Sequence, residues 1–196
     1  MKINNFKRKM LGVLAGGVAA ASIASTTVMA ASEGDNVNDS NVTITKDITK
    51  QSKAFAPAVT FEFTIAPAAA VATVDGVAIA KIAEANESNI YVGPAGGATL
   101  ESSSITSAPK AEDIGKTTVT AGTTKVKLDN SKFKAPGIYR YVVKETAGTY
   151  EGITYNTDPM YFDVYVDNTN TPYSYSFVKS DDSKVKSDGH IVNDYE

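Results

Sequence analysis

Period-two alternation of apolar and polar side chains limits this chain to a pleated-sheet architecture more firmly than any other feature of it. Asn41-Val42-Thr43-Ile44-Thr45-Lys46 alternates cleanly, and so does Thr60-Phe61-Glu62-Phe63-Thr64-Ile65. Lys125-Val126-Lys127-Leu128 is a shorter strand of the same kind. Residues 138–145, 161–166 and 173–178 are rich in Tyr, Val and Phe, which suit a half-buried pleated surface. Residues 190–195 read as a last strand. Turn residues separate these stretches at Pro136-Gly137, Gly148, Gly152, Asp158-Pro159 and residues 168–172. About seven or more short strands with such punctuation predict an all-β sandwich.

Two stretches are less legible. Residues 66–85 are rich in Ala, which favours helix, but Gly76 and the β-branched Val71, Val74, Val77 and Ile79 favour strand or irregular structure. Residues 93–122 are rich in Gly, Ser and Thr and read as loops around short edge strands.

The first thirty residues follow a different logic. Lys2, Lys7, Arg8 and Lys9 precede an apolar run from Leu11 to Ile23, and small residues follow at Ala30-Ala31. This order predicts a secretory signal peptide over residues 1–30, cleaved after Ala30 or Ala31. A run of this length is short for a membrane span, so no span is expected in the mature chain. Residues 31–40 are polar and acidic and read as a flexible lead-in to one domain over 41–196. Cleavage removes four positive charges and no negative one, leaving a chain more acidic than the −3 of the whole sequence.

Composition narrows the chemistry. With net charge −3 there is no basic field to attract nucleic acid. The sequence has no Cys, which removes thiolate catalysis, disulfides and Cys-type zinc sites. His190 is the sole histidine, which sets aside Ser-His-Asp triads of the usual sort. A structural or binding protein remains, or unusual carboxylate or amine chemistry.

Strand phase singles out three residues. Side chains two apart share a face, so Lys46 points the same way as Val42 and Ile44. Glu145 shares a face with Tyr139, Tyr141 and Val143, while Arg140 and Lys144 take the opposite face with Ile138 and Val142. Asn193 is in phase with Ile191 and Tyr195. Each of the three could simply sit at a strand end, where an apolar face runs out into water. If they are instead buried together, burial favours the neutral forms of amine and carboxyl. A neutral amine is a nucleophile, and a protonated carboxyl can polarise the Asn193 carbonyl. Attack of the Lys46 nitrogen with loss of ammonia would give a Lys–Asn isopeptide bond, without Cys, His, metal or cofactor.

The chain resembles the major (backbone) pilins of Gram-positive bacteria, in particular the FctA-like streptococcal type, whose domains are Ig-like (CnaB-type) β-sandwiches. The resemblance is carried by Val42-Thr43-Ile44-Thr45-Lys46-Asp47, by Phe61-Glu62-Phe63-Thr64-Ile65-Ala66-Pro67, and by the run from Phe133 through Pro136-Gly137 to Glu145. Gly152-Ile153-Thr154-Tyr155-Asn156, residues 161–166 and Ile191-Val192-Asn193 continue it, although the family's usual Phe two before the reactive Asn is Ile191 here. The resemblance implies that Lys46 is the nucleophile, Asn193 the electrophile and Glu145 the catalytic proton shuttle of a single-turnover reaction in a protein that is otherwise no enzyme.

It also implies a sortase-assembled pilus on the cell wall, with other pilin subunits, a pilus sortase and tip or minor pilins as partners. The lysine joined to the next subunit would be Lys184, although Lys179 and Lys186 lie close by and all three could be plain solvated lysines. Such precursors end in an L-P-x-T-G sorting signal. This sequence stops at Glu196, and the expectation is that a further C-terminal domain and the signal follow. Two other readings compete. One is an Ig-like surface adhesin binding a host ligand through residues 150–156 and 168–175. The other is a hydrolase pairing Asp163 with Glu145, carboxylates whose strand faces make them a poor acid/base pair.

Overall fold

The computed structural model describes residues 42–83, 85, 88–181 and 186–196. The expected signal peptide, the lead-in and Lys184 lie outside the described residues. In chain order come β1 (Thr43–Lys50), β2 (Val59–Pro67), β3 (Ala72–Val74), β4 (Val77–Lys81), β5 (Ile90–Val92), β6 (Ala98–Leu100) and β7 (Ser104–Ser107). They are followed by β8 (Thr118–Leu128), β9 (Gly137–Thr146), β10 (Ile153–Thr154), β11 (Met160–Val166), β12 (Pro172–Lys179), β13 (Lys186–Ser187) and β14 (His190–Tyr195). The seven alternating or Tyr/Val/Phe-rich stretches are β1, β2, β8, β9, β11, β12 and β14. The remaining strands are two to five residues long, too short to show a period.

Two sheets form. One has the order β10-β14-β1-β8-β6. The other runs β13-β12-β11-β9-β5-β4-β3, with β2 also paired to β9 and β7 to β2. The first strand and the last are neighbours: β1 and β14 run parallel, with Lys46 opposite Ile191 and Ile48 opposite Asn193. Inward residues of both sheets merge into one core, Ile44, Ile48, Val126 and Ile191 from the first meeting Phe61, Phe63, Tyr141, Val143, Phe162 and Phe177 from the second. Phe162 lies at its centre, its ring centroid 5.1 Å from that of Phe177, 5.8 Å from Tyr175 and 6.3 Å from Tyr141. Truncating such a ring costs about 3–5 kcal/mol.

The Ala-rich stretch is a β3–β4 hairpin. Asp75 (φ 49°) and Gly76 (φ 78°) both adopt left-handed conformations, which is what a two-residue turn matched to strand twist requires. Local turn chemistry therefore overrides the helical preference of Ala. In the Gly/Ser/Thr-rich stretch the alternation extends further than composition suggests, since β8 begins at Thr118. Its register against β1 shifts between Lys46 and Asp47, which pair with Gly122 and Thr120. The extra residue, Ala121, makes a bulge across from the step between Lys46 and Asp47.

Candidate functional site

β9 alternates as its sequence demands. Tyr139, Tyr141, Val143 and Glu145 face the core, and Ile138, Arg140 and Val142 face the other way. Tyr141 is fully buried, its hydroxyl donating to the Pro94 carbonyl at 3.1 Å. Gly93 and Gly97 make room for it: a Cβ on either would stand 2.4 Å from an atom of the Tyr141 side chain. This close approach fixes the strand that carries Glu145.

The structure brings Lys46, Glu145 and Asn193 together between the sheets. Their exposures are 0%, 1% and 1%, so none of them is a strand-end residue running out into water. Lys46 Nζ donates to Glu145 Oε2 at 2.8 Å, and Asn193 Nδ2 donates to Oε1 at 2.6 Å. One carboxyl group thus joins the amine of the first strand to the amide nitrogen of the last. Burial pushes the Lys46 amine below its usual 10.5, and the hydrogen bond and charge of Glu145, with the charge of Asp47, only partly offset it. The Phe61 ring lies 4.7 Å from Nζ, so the amine is desolvated on that side by an aromatic face.

The carbonyl end of Asn193 differs from the sequence expectation. Its Oδ1 accepts a hydrogen bond at 2.8 Å from the backbone N–H of Asn156, while the carboxyl meets the amide nitrogen. A backbone N–H can only donate, so the atom facing it has to be the carbonyl oxygen. The carboxyl therefore touches the two nitrogens and not the carbonyl oxygen, which the Asn156 N–H meets instead. Sequence reasoning had no way to find this group, because a backbone donor carries no residue signature.

The segment 150–156, read above as a host-binding loop, is partly turned inward onto this cluster. Tyr155 packs edge-on against Phe61, with centroids 6.1 Å apart. Residues 167–171 instead close on themselves, with Asp167 Oδ1 accepting from the backbone of Thr169 and Thr171. The hydrolase pairing has no geometric basis, since Asp163 lies on the opposite face of its sheet from Glu145. There it takes two hydrogen bonds from Arg140, at 2.8 and 2.7 Å. A second buried lysine, Lys50, shares the phase of Lys46 but donates to the carbonyls of Asp113 and Lys116. Among the described residues there is no group of three or more His, Asp or Glu able to hold a metal, and no helix long and apolar enough to cross a membrane.

Comparison with known proteins gives this geometry a context. The family model described as FctA, the Spy0128-like isopeptide containing domain, matches residues 42–196. No curated protein sequence matches the chain. Among solved structures the fold is similar to that of the major pilin from Streptococcus pyogenes. The identity there is 22% and the TM-score 0.55, over 82% of this chain and 52% of that one. The T-13 major pilin protein of the same species gives 23% identity and a TM-score of 0.54, over 80% and 52%. The chain spans about half the length of these pilins.

Proposed function

The chain belongs to the family of the Spy0128-like isopeptide containing domain, and from that premise we propose that it is a structural subunit of a cell-surface pilus, closed by a self-made Lys46–Asn193 isopeptide bond. The observation that carries the reading is the single buried carboxyl bridging the Lys46 amine and the Asn193 amide nitrogen.

The reaction follows from that bridge. Lys46, desolvated and inclined to lose its proton, gives it to Glu145 Oε2 and becomes a nucleophile. Its nitrogen adds to Cγ of Asn193. Glu145 then passes the proton it holds to Nδ2, which leaves as ammonia, and takes one from the attacking nitrogen. One C–N bond forms and one breaks, with no change in oxidation state. The chain turns over once, on itself.

The product suits a shaft that bears load. Lys46 and Asn193 lie on the first and last strands, so the bond closes nearly the whole domain into a covalent loop. On the chain-entropy estimate, closing about 150 residues removes roughly 5 kcal/mol of unfolded-state freedom. Tension entering before Lys46 and leaving after Asn193 would pass through the side-chain bond and bypass the strands between. Secretion through the signal peptide, and polymerisation by a sortase through Lys184 to other pilin subunits, complete the reading. A pilus that includes tip or minor pilins is the expected assembly.

Intact-mass measurement of the mature chain tests it. The expected mass is one ammonia below that of the sequence, with Lys46 and Asn193 in one branched tryptic peptide. Glu145→Ala should fold and keep its full mass. A folded wild-type chain that retains its ammonia would overturn the crosslink.

A further inference from the structure

We propose that the backbone N–H of Asn156 is the oxyanion donor of this reaction, receiving the charge that develops on Asn193 Oδ1 as Lys46 adds to Cγ. The inference rests on the reading that Lys46 and Asn193 react. It concerns a group that neither the strand pattern nor the three-residue site contains.

Addition of an amine to an amide carbonyl moves the carbonyl π pair onto oxygen. In a buried apolar site that charge is costly unless a donor is already aimed at it. The contacts of Glu145 go to the two nitrogens, Oε2 to Nζ and Oε1 to Nδ2. The oxygen is met from another side, by Asn156 N–H at 2.8 Å. Labour is thus divided, with the carboxyl moving protons between the nitrogen that enters and the nitrogen that leaves while the peptide N–H holds the oxygen. When the intermediate collapses, the electron pair returns from Oδ1 to rebuild the carbonyl and the C–Nδ2 bond breaks. The same N–H then remains on the isopeptide oxygen.

The donor is held in place before reaction by three independent contacts. Two residues upstream, β10 pairs with the strand that carries Asn193, Ile153 opposite Tyr195 and Thr154 opposite Asp194. Tyr155 is fixed edge-on against Phe61, the ring beside Lys46 Nζ. The Asn156 side chain accepts from Asp158 N–H at 3.1 Å, closing an Asx turn that sets the orientation of its own peptide. Donor and electrophile are therefore registered by one ladder, and little reorganisation is needed when charge appears.

The test removes the N–H alone. Cell-free translation with the α-hydroxy analogue of asparagine at position 156 replaces the amide by an ester in the otherwise native chain. Each protein is held unfolded in denaturant, diluted to start folding, and followed by mass for loss of ammonia and by circular dichroism for β structure. The ester chain is expected to fold and then to lose ammonia about 100- to 1,000-fold more slowly than wild type. Equal rates for the folded ester and wild-type chains overturn the proposal while leaving the crosslink standing. A wild type that never loses ammonia overturns the crosslink itself. Hydrogen exchange on the crosslinked wild type decides the case if the ester chain does not fold. The Asn156 amide should be strongly protected, and exchange at the rate of a free loop amide would overturn the assignment.

Discussion

Two buried ion pairs sit back to back on β9, and they differ in what their cations can do. On the core side, Glu145 meets Lys46 through a single 2.8 Å contact and shares its other oxygen with Asn193. On the opposite side, Arg140 grips Asp163 directly across the β9–β11 ladder through two parallel hydrogen bonds, with its guanidinium stacked 4.3 Å above the Tyr161 ring. Both pairs are nearly sealed from water. A guanidinium cannot be deprotonated in a protein, whereas a buried ammonium sheds its proton readily. The Arg140 cation is therefore permanent, while the Lys46 amine, pushed down by burial, can become neutral beside a carboxyl that also holds the Asn193 amide nitrogen. Lys50 adds a third case, a buried amine whose partners are backbone carbonyls. Burial creates the potential for chemistry, but the identity of the cation and its neighbour decides the outcome.

Substitutions can break or sharpen this contrast. The largest effect is expected from Lys46→Arg, which keeps the charge and removes the nucleophile. The folded protein should retain its full mass and lose roughly 5 kcal/mol of stability in denaturant unfolding, the loop-closure contribution. Crosslinking by the arginine variant would erase the distinction between the two pairs.

Next in size is Arg140→Ala. Removing the guanidinium that gives Asp163 two hydrogen bonds should cost about 3–5 kcal/mol, yet mass spectrometry should find the isopeptide complete in whatever folds. If the folded variant keeps its ammonia, the two faces of β9 are coupled and the separation drawn here is wrong.

The smallest effect is a pH dependence, best seen in Asn193→Ala, where Lys46 persists unlinked. The folded amine titrates below the 10.5 of the unfolded chain because burial penalises its charge. Between those two values the unfolded state holds more protons, so stability should rise with pH across that window and level off above 10.5. Adding Lys46→Met should flatten that rise. Arg140 should contribute no such slope, and an unchanged slope in the double variant would place its origin elsewhere.

Much of this arrangement was legible in advance, and the reason is geometric. Strand phase alone put Lys46, Glu145 and Asn193 on apolar faces, because alternation is strict and a face is inherited from neighbours two residues away. The same rule placed Arg140 opposite Glu145. A mid-strand Arg between Ile138 and Val142, with Asp163 between Tyr161 and Tyr165, was the available signal for the second pair. Short strands escaped, since two or three residues carry no period, and the β3–β4 hairpin was masked by Ala despite the Asp75-Gly76 turn within it.

Taken by itself, the sequence determined the fold class, the inward phase of Lys46, Glu145 and Asn193 and the absence of thiol chemistry, all local or compositional properties. Which inward residues meet was decided only by tertiary structure. The parallel pairing of β1 with β14 joins positions from opposite ends of the domain, and sheet-on-sheet packing lowers Glu145 between them. No local pattern encodes either event, because both depend on how distant surfaces exclude water together. The Asn156 N–H is the extreme case: every residue but proline has that group, and only the fold aims this one at a carbonyl.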